Sequence, residues 1–304
     1  MALFAALALA LLCGCQKPPA APLRVGINPW PAHDLLWVAQ QKGYFRELGL
    51  EVRLHEFPGL SDSSLSVQKQ KLDVVALTSG EIAQSREPLV PVYVLDESLG
   101  LDAMIGGPRV RSLGDLRGKR VGIEPDSVGS LILLGALRAA NLTMDDVDVV
   151  LITQSSGVEM MGSGMIDALV TYPPHSSGVL EIEGTRTVFD SSAMPGDIYD
   201  VLAARPAVRE KRAEDIALLI QGYERALRLL RERPEEVYAM VARRYHLTVE
   251  ETKASFETGM RWASPDEQQS LLAHGGMVEH AIGAARVALK ALDGDAMLAG
   301  PDMR

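Results

Sequence analysis

Short apolar runs that stop at small polar turns, each followed by a stretch of helical periodicity, recur through the first two thirds of this chain. The clearest is Leu72–Leu77 (LDVVAL), which ends in Thr78-Ser79-Gly80-Glu81. It is too short for a stable helix and does not alternate, which fits a parallel strand buried on both faces. Val25–Ile27, Glu51–Phe57, Leu89–Leu95, Val147–Ile152, Asp167–Thr171 and Asp197–Ala203 read as further strands, with a short one at Val188-Phe189. Alternation of strand and helix predicts right-handed βαβ units and mainly parallel sheets with flanking helices.

The opening unit, Arg24–Gly43, is a strand, an abrupt Asn28-Pro29-Trp30-Pro31 turn and an amphipathic helix, with Asp34 as its expected N-cap and Gly43 as its stop. Ligands of open α/β sheets lie where strands end and helices begin. Trp30 is therefore a candidate wall of a binding site; the alternative is a Trp that only covers the end of the core. Arg24-Val-Gly-Ile-Asn-Pro29 is echoed 96 residues later by Arg120-Val-Gly-Ile-Glu-Pro125, so two lobes start a βαβ unit in the same way. Ser61 or Ser64 is expected to cap a short helix in the first lobe. Ser127 is expected to cap one in the second, with Leu131, Leu134 and Leu137 facing the core and Asn141 at its end. From Val208 onward strand signals disappear. Ile216, Leu219, Ile220, Tyr223, Leu227 and Leu230 form one helical stripe, and Pro234 suits the first turn of the next helix. Thr248-x-x-Glu251 and Ser264-x-x-Glu267 are capping boxes, a last helix covers Met277–Leu292, and the tail 293–304 is expected to fray.

A length of 304 residues allows about two domains, and the net charge of −10 with no basic cluster argues against a nucleic-acid surface. Ala2–Leu12 is an apolar run too short to span a bilayer and suited to a secretory leader. It runs into Leu12-Cys13-Gly14-Cys15-Gln16, which resembles the bacterial lipobox; that resemblance implies cleavage before Cys15 and lipidation of its thiol. No Lys or Arg precedes the run, so the true start is expected upstream. Residues 16–22 (QKPPAAP) look like a tether. The mature chain would then hold one acylated cysteine and no internal disulfide.

NPWPAHDLLWVAQQKGYFRELGLEV resembles the opening of the ABC-transporter solute-binding proteins of the nitrate, sulfonate, taurine and thiamine-pyrimidine group, in Trp30-Pro31, Leu36–Phe45 and Gly49–Val52. The resemblance continues through Leu77–Glu81, Val94–Asp102, Leu113–Glu124, Asp167–Pro173 and Phe189–Leu202, and spans roughly Arg24 to Arg244. It implies a type II periplasmic-binding-protein fold: two lobes with mainly parallel sheets, two crossover strands, and a ligand held between the lobes. Asp102–Gly107 and Ala193–Asp200 are natural crossovers. They leave a discontinuous first lobe, 23–104 plus 197–304, and a second lobe at 105–196. A two-domain split with a single linker is the alternative topology.

In such a fold the strand ends of both lobes face the cleft. The candidate ligand-binding residues are Trp30, Thr78, Ser79, Glu81, Asp96, Ser98, Ser127, Gly129, Ser130, Thr171, Tyr172 and Asp200. Helix N-termini at Ser79–Glu81 and Ser127–Ser130 offer unpaired N–H groups and hydroxyls. Trp30 and Tyr172 offer flat apolar walls, and Glu81, Asp96 and Asp200 offer acceptors. Ordinary capping and turn-bracing are the alternatives for Ser127 and Asp96. The helix N-termini favour an anion, whereas the absence of Lys and Arg among these positions favours a neutral, zwitterionic or amine-bearing solute. His33 and His175 lie near the two walls, and surface or hinge placement is a better reading of them than a metal site.

The expected partners are a small solute, an ABC permease (or a membrane sensor) and a membrane reached through the N-terminal lipid, with the protein acting as a monomer. No cofactor and no metal are expected. The same fold hosts a thiamine-pyrimidine synthase that needs a cysteine-rich motif and a substrate histidine. Here only Cys13 and Cys15 exist, so a binding protein is expected and not an enzyme.

Overall fold

The computed structural model describes residues 21–293, with side chains through residue 290. The leader, Cys15, most of the tether and the tail beyond 293 lie outside the described residues. Two sheets carry the fold. The first has the order β11-β4-β10-β3-β1-β2, built from β1 (Leu23–Ile27), β2 (Val52–Glu56), β3 (Val74–Thr78), β4 (Val90–Ser98), β10 (Tyr199–Ala204) and β11 (Met260–Trp262). The second has the order β7-β6-β8-β5-β9, built from β5 (Ala103–Gly106), β6 (Lys119–Ile123), β7 (Val147–Leu151), β8 (Ala168–Thr171) and β9 (Arg186–Asp190).

β1 pairs in parallel with β2 and β3, whereas β10 is antiparallel to β3 and β4, and β11 to β4. In the second sheet β6 is parallel to β7 and β8, and β5 is antiparallel to β8 and β9. Most strands thus share one direction in each sheet. Besides β11, the reversed strands are β5 and β10, which the chain enters on crossing from the other sheet, at 99–102 and 191–198. The two crossings are tied together: Ser98 Oγ and Ser191 Oγ are 2.8 Å apart, the Gly100 N–H donates to Ser191 Oγ at 2.6 Å, and the Ser191 N–H donates to the Asp102 carbonyl at 2.9 Å.

Central strands β3 and β8 are buried at every position, as their unbroken apolar character requires. β7 corrects the expectation of a buried strand at Val147–Ile152: it is an edge strand whose residues are half-buried or exposed. β11 was invisible in the sequence because three residues are too few to show a period; they pair through the backbone with Asp96–Ser98.

Several helix starts also differ. Helix α1 (Pro31–Gln41) begins before Asp34, with extended Trp30 as N-cap and Pro31 at the first position, where its fixed φ suits the turn. Asp34 is buried in the first turn, and its carboxylate accepts the Tyr245 hydroxyl at 2.7 Å instead of capping the backbone. Gly43 (φ 76°) ends the unit. Helix α2 (Leu60–Gln68) is capped at Gly59, not at Ser61 or Ser64, because Ser61 is drawn to Glu124 and Pro125 of the second lobe. Helix α3 (Ser79–Gln84) starts from a capping box of Thr78 and Glu81. Helix α4 (Gly129–Ala139) has Ser127 just outside it, its Oγ accepting the Gly129 N–H at 3.1 Å, and left-handed Asn141 (φ 55°) beyond its end.

The C-terminal part adds helices α5 (Ala213–Glu232), α6 (Pro234–Tyr245), α7 (Val249–Glu257) and α8 (Met277–Asp293). On α5 the apolar stripe is buried except for half-buried Ile220. Pro234 opens α6, and the Thr248–Glu251 box caps α7. Ser264 and Glu267 form a capping box around a single 3-10 turn.

The candidate interlobe site

The carboxyl ends of β1, β3 and β4 in the first lobe face those of β6 and β8 in the second. Trp30, held by the turn after β1, has its indole Nε1 donating to Asp96 Oδ2 at 3.0 Å. Its ring meets Tyr172, just after β8, edge to face at 6.2 Å between centroids and 74° between planes. Both rings are buried, so the cleft is closed at this point.

Two glutamates join the lobes reciprocally. Glu81, at the start of α3, accepts the Thr78 N–H within its own lobe and the Val128 N–H at the entrance of α4 in the other. Glu124, at the end of β6, accepts the Ser61 N–H in the first turn of α2 at 3.1 Å and the Tyr172 hydroxyl at 3.0 Å. Each carboxylate therefore meets orphan N–H groups of the opposing lobe's helix, where the helix dipole favours a negative charge. Burial pushes Glu81 up to about 7, against its bonds to Thr78 and Val128, and also raises Glu124.

Behind Trp30 lies a cluster of acids with few donors. Asp96 and Asp200 are register partners on β4 and β10, both buried, and burial and their mutual repulsion hold Asp96 well above the usual carboxylate range. Asp200 is raised likewise, by burial and by Asp102 and Glu81. Asp102 is pushed up to about 6 by burial. His33 is fully buried on α1, which corrects its placement at a surface or hinge. Its Nε2 lies 3.0 Å from Asp200 Oδ1, off the line of a hydrogen bond, and burial pushes the imidazole down to about 4, so it is neutral. His175 is half-buried beside Tyr172, 5.8 Å between ring centroids. Asp96 Oδ1, Asp200 Oδ2, Asn28 Oδ1 and Thr171 Oγ1 are buried without a hydrogen-bond partner among the described residues.

All twelve nominated residues are buried at or near this junction, in different company. Trp30 and Tyr172 meet; Asp96 and Asp200 stand side by side; Thr171 ends β8 with its hydroxyl unpaired. Glu81 bridges the lobes. Thr78 caps α3. Ser79 Oγ donates to the Asp197 carbonyl at 2.9 Å and accepts the Tyr199 N–H, holding the returning crossover. Ser98 joins the crossings, and Ser127 braces the entry to α4, where Gly129 and Ser130 form the first turn.

An open pocket of about 240 Å³ adjoins Trp30. Its walls are Trp30, Pro31 and Asp34 from α1, Leu101 from the first crossing, Pro173, Pro174 and Ser177 from the second lobe, and side chains of α6 and α7, chiefly Tyr245, Thr252 and Phe256. Only Trp30 among the nominated residues lines it. The contribution of α6 and α7 has no sequence signal beyond amphipathic helices: Tyr245 meets Asp34 across 211 residues of chain. Burial pushes Asp34 up to about 7, with Arg244 and the Tyr245 hydroxyl pulling the other way.

Two lobes built this way define the periplasmic-binding-protein fold, and the comparisons agree. The alkanesulfonate-binding protein SsuA from Xanthomonas axonopodis pv. citri, bound to MOPS, superposes with a TM-score of 0.75 over 93% of this chain and 96% of its own, at 14% identity. The periplasmic aliphatic sulphonate binding protein SsuA from Escherichia coli gives 0.72 over 90% and 88%, at 18% identity. The desulfurization enzyme DSZB gives 0.61 over 90% and 93%, at 15% identity. In sequence, a putative binding protein of Brucella abortus is 26% identical over 268 residues, 83% of this chain and 79% of the relative. A putative aliphatic sulfonates-binding protein of Escherichia coli is 29% identical over 136 residues, 44% of this chain and 42% of the relative. Residues 30–237 match the family described as NMT1/THI5 like, and the chain belongs to that family.

Proposed function

We propose that this protein is the extracytoplasmic solute-binding component of an ABC importer, which captures a small molecule between its lobes and presents it to the permease. The observation that carries this reading is the junction itself: Trp30 of one lobe closes on Tyr172 of the other beside a pocket lined from both. About 240 Å³ corresponds to roughly eight waters, which suits a small solute. The names of the sulfonate-binding relatives support capture of a small organic molecule. Closure is read as a hinge motion about the crossings near 99–102 and 191–198, between a lobe of residues 23–104 and 197–304 and a lobe of 105–196. The closed form is selected by ligand contacts to both lobes.

Export and lipid attachment at Cys15 belong to the same proposal, as does a monomeric protein. Among the described residues no helix is long and apolar enough to cross a membrane. Replacing Cys15 with Ser is expected to release the protein from membranes, and retention of that variant refutes the anchor. The fold also occurs in DSZB, so the binding reading is tested against catalysis. Thermal-shift and calorimetric titration against sulfonates, pyrimidines, amines and amino-acid derivatives should find a solute that is recovered unchanged. At about 100 times its dissociation constant it should stabilise the protein by about 2.7 kcal/mol. Turnover of the bound solute, or no shift with any class, defeats the proposal. Co-purification of a permease, as against a sensor, separates uptake from signalling.

A further inference from the structure

The interlobe pocket is poorly equipped for an anion. Its ionisable lining groups are Asp34, Glu251 and the hydroxyl of Tyr245, and among the described residues no Lys, Arg or His lines it. Anion sites ordinarily use guanidinium or ammonium groups, or the free N–H groups of a helix N-terminus. Two helices start at this pocket, and each carries a carboxylate in its first turn. Pro31 has no N–H to offer, and Asp34 puts a carboxylate into the first turn of α1. Glu251 accepts the Thr248 N–H at 2.7 Å as part of the cap of α7. The Arg244 guanidinium, whose Nη1 is buried without a hydrogen-bond partner among the described residues, pairs with Asp34 but does not line the pocket. It bonds Glu56 at 2.8 Å, lies 3.7 Å from Asp34, and sits over the Trp37 and Tyr245 rings at 4.7 and 5.2 Å. The remaining wall is aromatic and apolar, with Trp30, Tyr245, Phe256, Pro173 and Pro174.

Resting on the solute-capture reading, we infer that the pocket selects a small organic cation, an ammonium or amidinium on an apolar or aromatic body. Its charge faces Asp34 and its body lies between Trp30 and Phe256. Ring faces attract such a cation, and the buried Asp34 carboxylate, shared with Arg244 and the Tyr245 hydroxyl, supplies the opposite charge. The charge preference is thus opposite to that of a sulfonate. Behind the Trp30 indole, Asp96 Oδ1 is a further buried oxygen without a hydrogen-bond partner among the described residues.

Titration supports the same sign. Asp34, pushed up to about 7 by burial, is faced by Arg244 and Tyr245, which favour its charge, by Glu56, which opposes it, and by His33, which is neutral there. Glu251 is held below the usual range by its bonds to Thr248, so it stays charged near neutrality. A cation competes with the proton on Asp34 and should therefore bind more tightly as pH rises from 6 to 8, by about tenfold.

The test is calorimetry on the purified protein with matched aromatic probes: benzylammonium and benzamidinium, benzenesulfonate and benzoate, and neutral benzyl alcohol. The expected result is at least tenfold tighter binding of a cation than of either anion. Asp34→Asn should remove that preference, read as the ratio of cation to anion affinity within the variant. Because Asp34 braces α1 against Tyr245, the wild-type pH profile serves as an independent reading should that variant misfold. Flat cation affinity between pH 6 and 8 overturns the inference. Equal or tighter binding of benzenesulfonate overturns the charge preference and leaves solute capture standing. No binding of any probe overturns both.

Discussion

Arg24–Pro29 and Arg120–Pro125 start their sheets with nearly the same six residues, and the structure makes the same object of each as far as the strand's end. The Arg24 N–H and Nε both donate to Asp73 Oδ2 at 3.0 Å, and those of Arg120 donate to Asp167 Oδ2 at 3.1 and 3.0 Å. The aspartate N–H groups return to the arginine carbonyls, each at 2.8 Å. In both strands the glycine makes room for a neighbouring side chain: a Cβ on Gly26 would lie 2.4 Å from Leu72 Cδ1, and one on Gly122 2.9 Å from Ile166 Cδ1, so those side-chain ends would have to shift. The copies part at the fifth residue, where the strands reach the cleft. Asn28 is buried with its Oδ1 unpaired, and Glu124 reaches across to the other lobe. Shared residues hold each lobe together internally, and the differing one serves the space between lobes.

The largest expected effect tests that equivalence. Asp73→Ala and Asp167→Ala should each cost about 1–3 kcal/mol in urea unfolding, because each leaves the backbone N–H of its arginine without an acceptor, the half-exposed guanidinium being solvated instead. A variant that costs nothing at one lobe breaks the parallel. Next comes Trp30→Ala, for which affinity should fall at least tenfold, about 1.4 kcal/mol. Tyr172→Phe, which removes only the hydroxyl bonded to Glu124, should cost about 1 kcal/mol in thermal melts. Equal affinity in the Trp30 variant removes that side chain from the site.

Glu124→Gln should loosen the lobes modestly, seen as a larger radius of gyration by small-angle scattering, while Asn28→Ala should not. An unchanged radius in the glutamine variant would show that the bridge does not hold closure. The smallest effect is a slope. Asp73 and Asp167 are held low by their arginines, so their contribution is present above about pH 4 and fades as pH falls below it. Glu81 is raised to about 7, so its contribution is full below about 4.5 and is lost as pH rises through 7. Glu81→Gln should flatten stability between pH 5 and 8 without touching the acid limb, and an unaltered slope would clear Glu81 of that role.

The strand and helix order was largely readable because each buried strand is an unbroken apolar run and each cap has a side-chain signature, as at Thr248–Glu251. The echo at Arg24 and Arg120 was readable too. Its partners Asp73 and Asp167 were not, since they lie 49 and 47 residues away and a charged residue beside a strand carries no address. Trp30 was identifiable from its turn. Thr78, Ser79, Ser98 and Ser127 looked like ligand groups because a hydroxyl at a strand end is equally suited to bonding the protein itself: Thr78 and Ser127 bond nearby backbone, Ser79 the Asp197 carbonyl and Ser98 the Ser191 hydroxyl.

By itself, then, the sequence determined the local elements, the two-lobed α/β plan and the position of one aromatic jaw, because periodicity, prolines and caps act within a few residues. Only the tertiary structure decided which carboxylates bridge the lobes, which remain unpaired, and that α6 and α7 complete the pocket against Asp34. Those outcomes depend on burial and on distances between segments up to 211 residues apart, and desolvation is a property of the packed molecule that no short stretch of chain encodes.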